Sequence, residues 1–358
     1  MDILSKYPYS FSFSRSKKQN KTERKYKMDF WTNAILFFLI LIFYLHLQHE
    51  WKKGEDLEIL EMDYISNKDL QDICKLKQPV LFQLAEMESI FSFVPDEKDE
   101  VTVKDIRDYY RDSTETAING ISLAYKSANG LFSTDPHSYF FSENNTDLSL
   151  PRKTFDSLLS PPLTISSKYD YLFGSANAYT PVRYHTESSR FLAVLPGQGI
   201  RVKMVPWKNR AHFSSIKDYE NYEFWSKTDI WKYTSKSLEF DVKPGYILYI
   251  PAYWFYSIQF IKVAAEEIET RISPVISFQY ITVMNMIANS QNYALYFLQQ
   301  QNIVETKSRV LTDKKVEVKK MEADIEKDLD IEVKKDVQVE ISPQVAETIA
   351  MLQPKEEM

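Results

Sequence analysis

KPGYILYIPAYWFYSIQF, residues 243 to 260, holds two strand-length apolar runs on either side of a proline. Pro244-Gly245 is a turn signal, and Tyr246 to Ile250 is rich in the aromatic and β-branched residues that suit a pleated surface. Pro251 cannot donate to a sheet ladder, so the first strand ends there. Ala252 to Phe255 turn the chain, and Tyr256 opens the second strand beside the end of the first. The stretch is a pair of buried strands with a polar group at the join.

Outward from this pair, strand signals come thickly beyond Asp170: YDYLFG, TPVRYHTE, RFLAVL, IRVKMVPW, SLEFDV and ISPVISFQYI, broken by PGQG and KPG. Short strands at this spacing predict a sandwich or barrel. Upstream, LEILEMDYI and QPVLFQL read as strands joined by a short helix that opens at Ser66 and runs through Cys74. TVKDIRDYYRDSTETAINGISLAYKS is expected to be helical or loop-like, with Val103, Ile106 and Tyr110 on one face. VMNMIANSQNYALYFLQQQ has the longer period of a helix packed on the outside. The predicted class is mainly β with flanking helices, over residues 55–302, with a barrel core near 165–282 and a C-terminal helix near 283–302.

The flanks differ in kind. Residues 1–28 carry eight Lys/Arg against two acids and no apolar period, as in a disordered basic arm. FWTNAILFFLILIFYLHLQ, residues 30–48, has no formally charged side chain and at 1.5 Å per residue spans about 28 Å, near a bilayer core. Residues 29–51 are therefore expected to be a transmembrane signal anchor, with Trp31 and Trp51 at its two interfaces. The basic arm places the N-terminus in the cytoplasm and the domain on the far side. Residues 303–358 have no aromatic residue and alternate Lys with Glu/Asp, the composition of a disordered tail.

Composition excludes several functions. A net charge of −6 and a pI near 5.6 argue against nucleic acid as partner. The single cysteine, Cys74, permits no internal disulfide, and no Cys/His cluster offers a zinc site. Only 7 glycines occur where an average chain would have roughly 25, so Gly174, Gly197, Gly199 and Gly245 are expected at turns.

Thr180, Pro181, Gly197, Pro206, Pro244, Gly245, Leu248, Ile250, Pro251 and Trp254 fall in the order and spacing of a family signature. On these residues the chain resembles the JmjC-type, cupin-like proteins, and most closely the membrane-anchored cupin-like proteins of giant DNA viruses. The resemblance is dense from about 165 to 300 and implies a double-stranded β-helix. It also implies a place for iron, held in the family's enzymes by His-x-Asp/Glu and a distal His, with 2-oxoglutarate as cosubstrate. That arrangement leaves cis positions open on the metal. In this sequence the three ligand positions fall on Arg183, His185 and Tyr256, and the cosubstrate lysine falls on Gly199. A guanidinium cannot shed its charge to bind Fe(II).

Two functions follow. The leading one is a non-catalytic, membrane-anchored module without cofactor, a structural viral membrane protein of a virion or host endomembrane, or a binder of an unknown protein or small anionic ligand. Its ligand positions would be Arg183, His185 and Tyr256, in a pocket with Thr180, Tyr184, Glu187, Arg201, Lys203, Tyr253 and Trp254. The alternative is a divergent Fe(II)/2-oxoglutarate dioxygenase acting on protein side chains. There His185-Thr186-Glu187 serves as the His-x-Glu, with Tyr256 or His212 as third ligand and Arg201 or Lys203 holding 2-oxoglutarate. On strand alternation Arg183, His185 and Glu187 share a face, and Arg183 or His185 should lie within direct or one-water hydrogen-bond reach of the Tyr256 hydroxyl.

The orientation has a direct test. Asn144-Asn145-Thr146 is a glycan acceptor on the far side, and Asn20-Lys21-Thr22 is one left in the cytoplasm. Expressed in a eukaryotic host, the chain should carry one glycan at most, lost in Asn144→Gln; modification of Asn20 contradicts the orientation.

Overall fold

The computed structural model describes residues 30–84, 95–111, 120–148, 152–196, 198–262 and 274–302. The basic arm, the charged tail and Gly197 lie outside the described residues.

Helix α1 (Phe30–Trp51) is 22 residues long and apolar on all sides; Ile35 to Leu45 lie on its open surface. It is the one helix among the described residues long and apolar enough to cross a membrane. Its foot is tied down. Trp51 Nε1 donates to the Ala288 carbonyl at 3.1 Å and Asn285 Nδ2 donates to Glu50 at 3.2 Å, both on helix α6 (Val283–Ala288).

Two sheets and a set of helices make three layers. Strands β1 (Leu60–Asp63) and β2 (Val80–Gln83) pair in parallel, which needs a crossover, and α2 (Asn67–Cys74) supplies it. Ser66 caps α2 by accepting from the Asp69 amide. Then come β3 (Glu100–Asp105), α3 (Ile106–Tyr110), β4 (Ile121–Ala124), α4 (Tyr125–Thr134), β5 (Phe140–Ser142), α5 (Arg152–Leu159) and β6 (Thr164–Gly174). The rest of the β-structure is β7 (Arg183–Tyr184), β8 (Ser189–Val194), β9 (Gln198–Val205), β10 (Ser215–Asp218), β11 (Glu223–Ser226), β12 (Leu238–Val242), β13 (Tyr246–Ile250), β14 (Phe255–Lys262) and β15 (Val275–Thr282).

The larger sheet has nine strands in the order β1-β2-β13-β8-β15-β6-β5-β3-β4, and the second sheet contains β7-β14-β9-β12. From β6 to β9 the chain passes from one sheet to the other at every step, and it does so again from β12 to β15. One face of the larger sheet offers Phe191, Ala193, Tyr249, Ile276, Phe278 and Tyr280 to Leu70 and Cys74 of α2, Phe132 of α4 and Phe155 of α5. The other face, with Arg190, Leu192, Ser277 and Gln279, looks toward the second sheet. Both faces of β8 and β15 are thus covered, which is why these strands read as nearly continuous apolar runs.

The turn before β13 needs its glycine: Gly245 has φ 89° and its amide donates to the Val194 carbonyl at 2.8 Å. A second compact unit, residues 216–224 with 291–302, is held by Tyr222 stacked on Tyr293 at 4.9 Å and by Tyr219 bonded to Asn292. The C-terminal segment is helical over 283–288 and 290–302.

Two local expectations are corrected. Residues 100–105 form a strand, not a helix or loop. Val101 and Val103 alternate with Thr102 and Lys104, but α3 follows at once, and the spacing of Val103, Ile106 and Tyr110 imitated one helical face. TPVRYHTE is not a full strand either: only Arg183–Tyr184 pair in a ladder. The next carbonyls are taken elsewhere, His185 by the Tyr253 amide at 2.9 Å and Thr186 by Asn285 Nδ2 at 2.8 Å, so the chain leaves the sheet.

Phe191 meets Tyr249 at 5.3 Å, Tyr280 at 6.2 Å and Phe82 at 6.3 Å between ring centroids. Phe191→Ala is expected to cost about 3–5 kcal/mol in chemical denaturation, and the exposed Ile121→Ala less than about 0.5 kcal/mol. Equal effects would contradict this core.

Candidate functional site

The space between the sheets has a polar centre. Tyr256 and Arg183 are directly paired across β14 and β7, so both side chains point toward the larger sheet. Opposite them, Arg190 stands at the start of β8 on the face of Leu192. These residues, with Thr180, Asp170 and Ser277, line a cavity of about 20 Å³, room for about one water molecule.

The charges there form two chains. In the first, Arg190 Nη1 donates to the Tyr256 hydroxyl at 2.6 Å and Nη2 lies 3.2 Å from Glu187 Oε1. Glu187 Oε2 lies 3.2 Å from His185 Nδ1, and His185 Nε2 meets the Ile250 carbonyl at 3.0 Å. In the second, Arg183 Nη1 donates to Glu143 Oε2 at 2.7 Å, and Lys104 Nζ donates to Glu143 Oε1 at 2.9 Å with the Tyr109 hydroxyl beside them. Tyr256, His185, Glu187, Glu143 and Lys104 are all buried.

Burial of so many charges is tolerable only because they are paired. Burial alone would raise the Glu143 carboxyl, but Arg183 and then Lys104 more than offset it and hold it at about 2. Glu187 follows the same logic: burial pushes it up, while Arg190 and His185 hold it well below the carboxylate range. Burial lowers the His185 pKa, against the pull of Glu187. Yet both contacts of this ring are to acceptors, so the imidazole is satisfied on both sides only when both nitrogens carry protons. Burial raises the Tyr256 hydroxyl against the influence of Arg190, which keeps it a neutral phenol.

The donors do not fit the iron that the resemblance implies. His185 Nδ1 and Glu187 Oε2 converge, but the Arg190 guanidinium is already on the other oxygen of Glu187 and on the Tyr256 hydroxyl that would be the third ligand. A permanent cation in contact with two of three ligands opposes a divalent metal.

Several anticipated neighbours are elsewhere. Arg183 is registered with Tyr256, the His185 ring packs edge-on to the Tyr256 ring at 6.2 Å between centroids, and the Tyr256 hydroxyl itself accepts from Arg190. Arg201 and Lys203 point out of the opposite side of the second sheet: Lys203 is registered with Ser257, not Tyr256. There Arg201 pairs with Asp241 at 2.7 Å and Lys203 donates to the Tyr233 carbonyl at 3.1 Å. They cannot hold a cosubstrate at His185. His212 is exposed on a surface cleft. Tyr184 and Tyr253 stack in an aromatic cluster with Trp207, over which Lys53 lies 4.7 Å from the Trp207 ring centre. Trp254 is fully buried and donates to the Lys77 carbonyl at 3.2 Å. Thr180 lines the central cavity, its hydroxyl accepting from the Ile258 amide at 3.1 Å.

Sequence reasoning missed Arg190, Glu143 and Lys104. Arg190 carried a signal, a lone charge two positions before Leu192 on a strand otherwise apolar. Glu143, in a loop after β5, carried none. No protein-family model and no curated protein matches the chain.

A pH dependence follows. Both glutamates have depressed values, so their contribution to stability is complete above the unfolded value of about 4.3 and is lost as pH falls through the folded values. The midpoint of denaturation should fall gently below about pH 6.5, where the unfolded chain protonates His185 more readily than the buried folded ring, and steeply from about 4.5 toward 2. Glu143→Gln should cost about 3–5 kcal/mol at pH 7 and weaken that acid dependence. An unchanged acid limb in this variant contradicts the assignment.

Proposed function

We propose that the protein is a single-pass membrane protein whose far-side domain is a non-catalytic, cupin-like structural or partner-binding module. Alternation of consecutive strands between the sheets, in the orders β6-β15-β8-β13 and β7-β14-β9-β12, supports a double-stranded β-helix. The length and exposure of α1 support the anchor.

The observation that carries the reading is the Arg190 contact with Tyr256 and Glu187. It sets a fixed cation at the place where the resemblance puts a metal. The remaining space is too small for an organic anion, so binding in this reading belongs to the surface of the domain, and a role in a viral membrane is the setting that the resemblance offers.

One observation favours the dioxygenase as a second reading: His185 Nδ1 and Glu187 Oε2 face one another at 3.2 Å and neither is otherwise hydrogen-bonded. A proton satisfies this contact; a metal ion would do so too. Elemental analysis and 2-oxoglutarate turnover separate them. The full chain in neutral detergent, reconstituted anaerobically with Fe(II) and desalted, is expected to keep far less than one equivalent of iron and to release no succinate. Iron near one equivalent with 2-oxoglutarate decarboxylation, both lost in Glu187→Gln, overturns the proposal.

A further inference from the structure

Outside the polar centre, a cavity of about 280 Å³ lies where α1 meets the domain. His46, His49 and Glu50 enter it from the last turns of α1, and Cys74, Lys75 and Lys77 from the end of α2. Lys77 decides its chemistry. The residue is only 4% exposed, and its ammonium makes no hydrogen bond or ion pair among the described residues. Burial lowers its pKa, and Glu50, the strongest opposing charge, only partly compensates without pairing with it. The rest of the Lys77 side chain is buried and its ammonium opens into the cavity with no protein acceptor among the described residues, so its three donors are free for a ligand.

The position says what completes it. Counting about 20 residues of α1 for the hydrocarbon core, His49 and Glu50 emerge at headgroup depth. Leu163, 72% exposed, lines the cavity, and the exposed Leu76 and Val283 are chain neighbours of the lining residues Lys75, Lys77, Thr282 and Met284. Leu163 and Val283 are joined by a backbone hydrogen bond at 3.1 Å, and Leu76 sits between the two lysines. Such residues at the foot of a membrane-length helix are suited to the acyl boundary of a bilayer.

We propose that this cavity binds the phosphate of a membrane phospholipid, with the Lys77 ammonium as its cation and Leu163, Leu76 and Val283 resting on the lipid. The inference rests on the membrane anchor proposed above and is independent of whether the polar centre is catalytic. Phosphate chemistry alone would also admit the free ion, but these apolar side chains have a use only if the phosphate carries a lipid.

The test is lipid retention by the full chain in neutral detergent, read by native mass spectrometry after mixing with phosphatidylglycerol. The wild type should keep one lipid, and millimolar inorganic phosphate should not displace it. Lys77→Met and the cavity-filling Met284→Trp should each lower retention at least tenfold with unchanged circular dichroism, and Lys98→Met should not. If Lys77→Met fails to fold, Met284→Trp carries the test. Equal retention in the cavity variants, no retention, or displacement by inorganic phosphate overturns the lipid site. Extraction of the chain from membranes by alkaline carbonate would instead sink the anchor itself.

Discussion

A guanidinium cannot be neutralised, so once Arg190 is enclosed between two sheets its surroundings have to supply acceptors. Glu187 and Tyr256 do so, and much of the interior follows from them. To reach Arg190, Glu187 must sit on a stretch that has left the ladder, which is why the chain departs from the sheet after Tyr184. To reach the same group, Tyr256 must start β14 immediately after the turn at Tyr253, whose left-handed φ of 64° is held by its amide bond to His185 and its hydroxyl bond to Asn289. Arg183 repeats the solution with Glu143 and Lys104. Breaking one member of such a buried chain costs more than the pair contributes, because the partner is left charged in an apolar interior.

Helix α1 is part of the same construction. Glu50 and Trp51 bond to α6, whose Asn285 also holds the Thr186 carbonyl in the loop that carries Glu187. Lys53 lies against the rings of Trp207 and Tyr253. A set of polar contacts therefore runs from the foot of α1 to the loop that carries Glu187.

Much of the β-structure was legible because its strands are buried on both faces or bounded by Pro and Gly. YILYIPA, RFLAVL and ISFQYI could be read from β-branched and aromatic content alone, and α1 from its uncharged length. The strand at 100–105 was not, because it runs straight into a helix and the two periods overlap. For the site, Tyr256 and Arg183 were found through the Thr180-Pro181 and Trp254 anchors of the resemblance. Arg190 was hidden because alternation shows which face a residue takes but not which residue meets it across the gap. Arg201 and Lys203 failed for the same reason: their face is the outer one, set by registry with β14 that no local pattern reveals.

A double-mutant cycle on Arg190→Met and Glu187→Gln, followed by chemical denaturation of the full chain at pH 7, addresses the central claim most directly. If the ion-pair chain organises the space between the two sheets, each single substitution costs about 3–5 kcal/mol and the pair is non-additive by about 2 kcal/mol or more. Additivity within about 0.5 kcal/mol would contradict it.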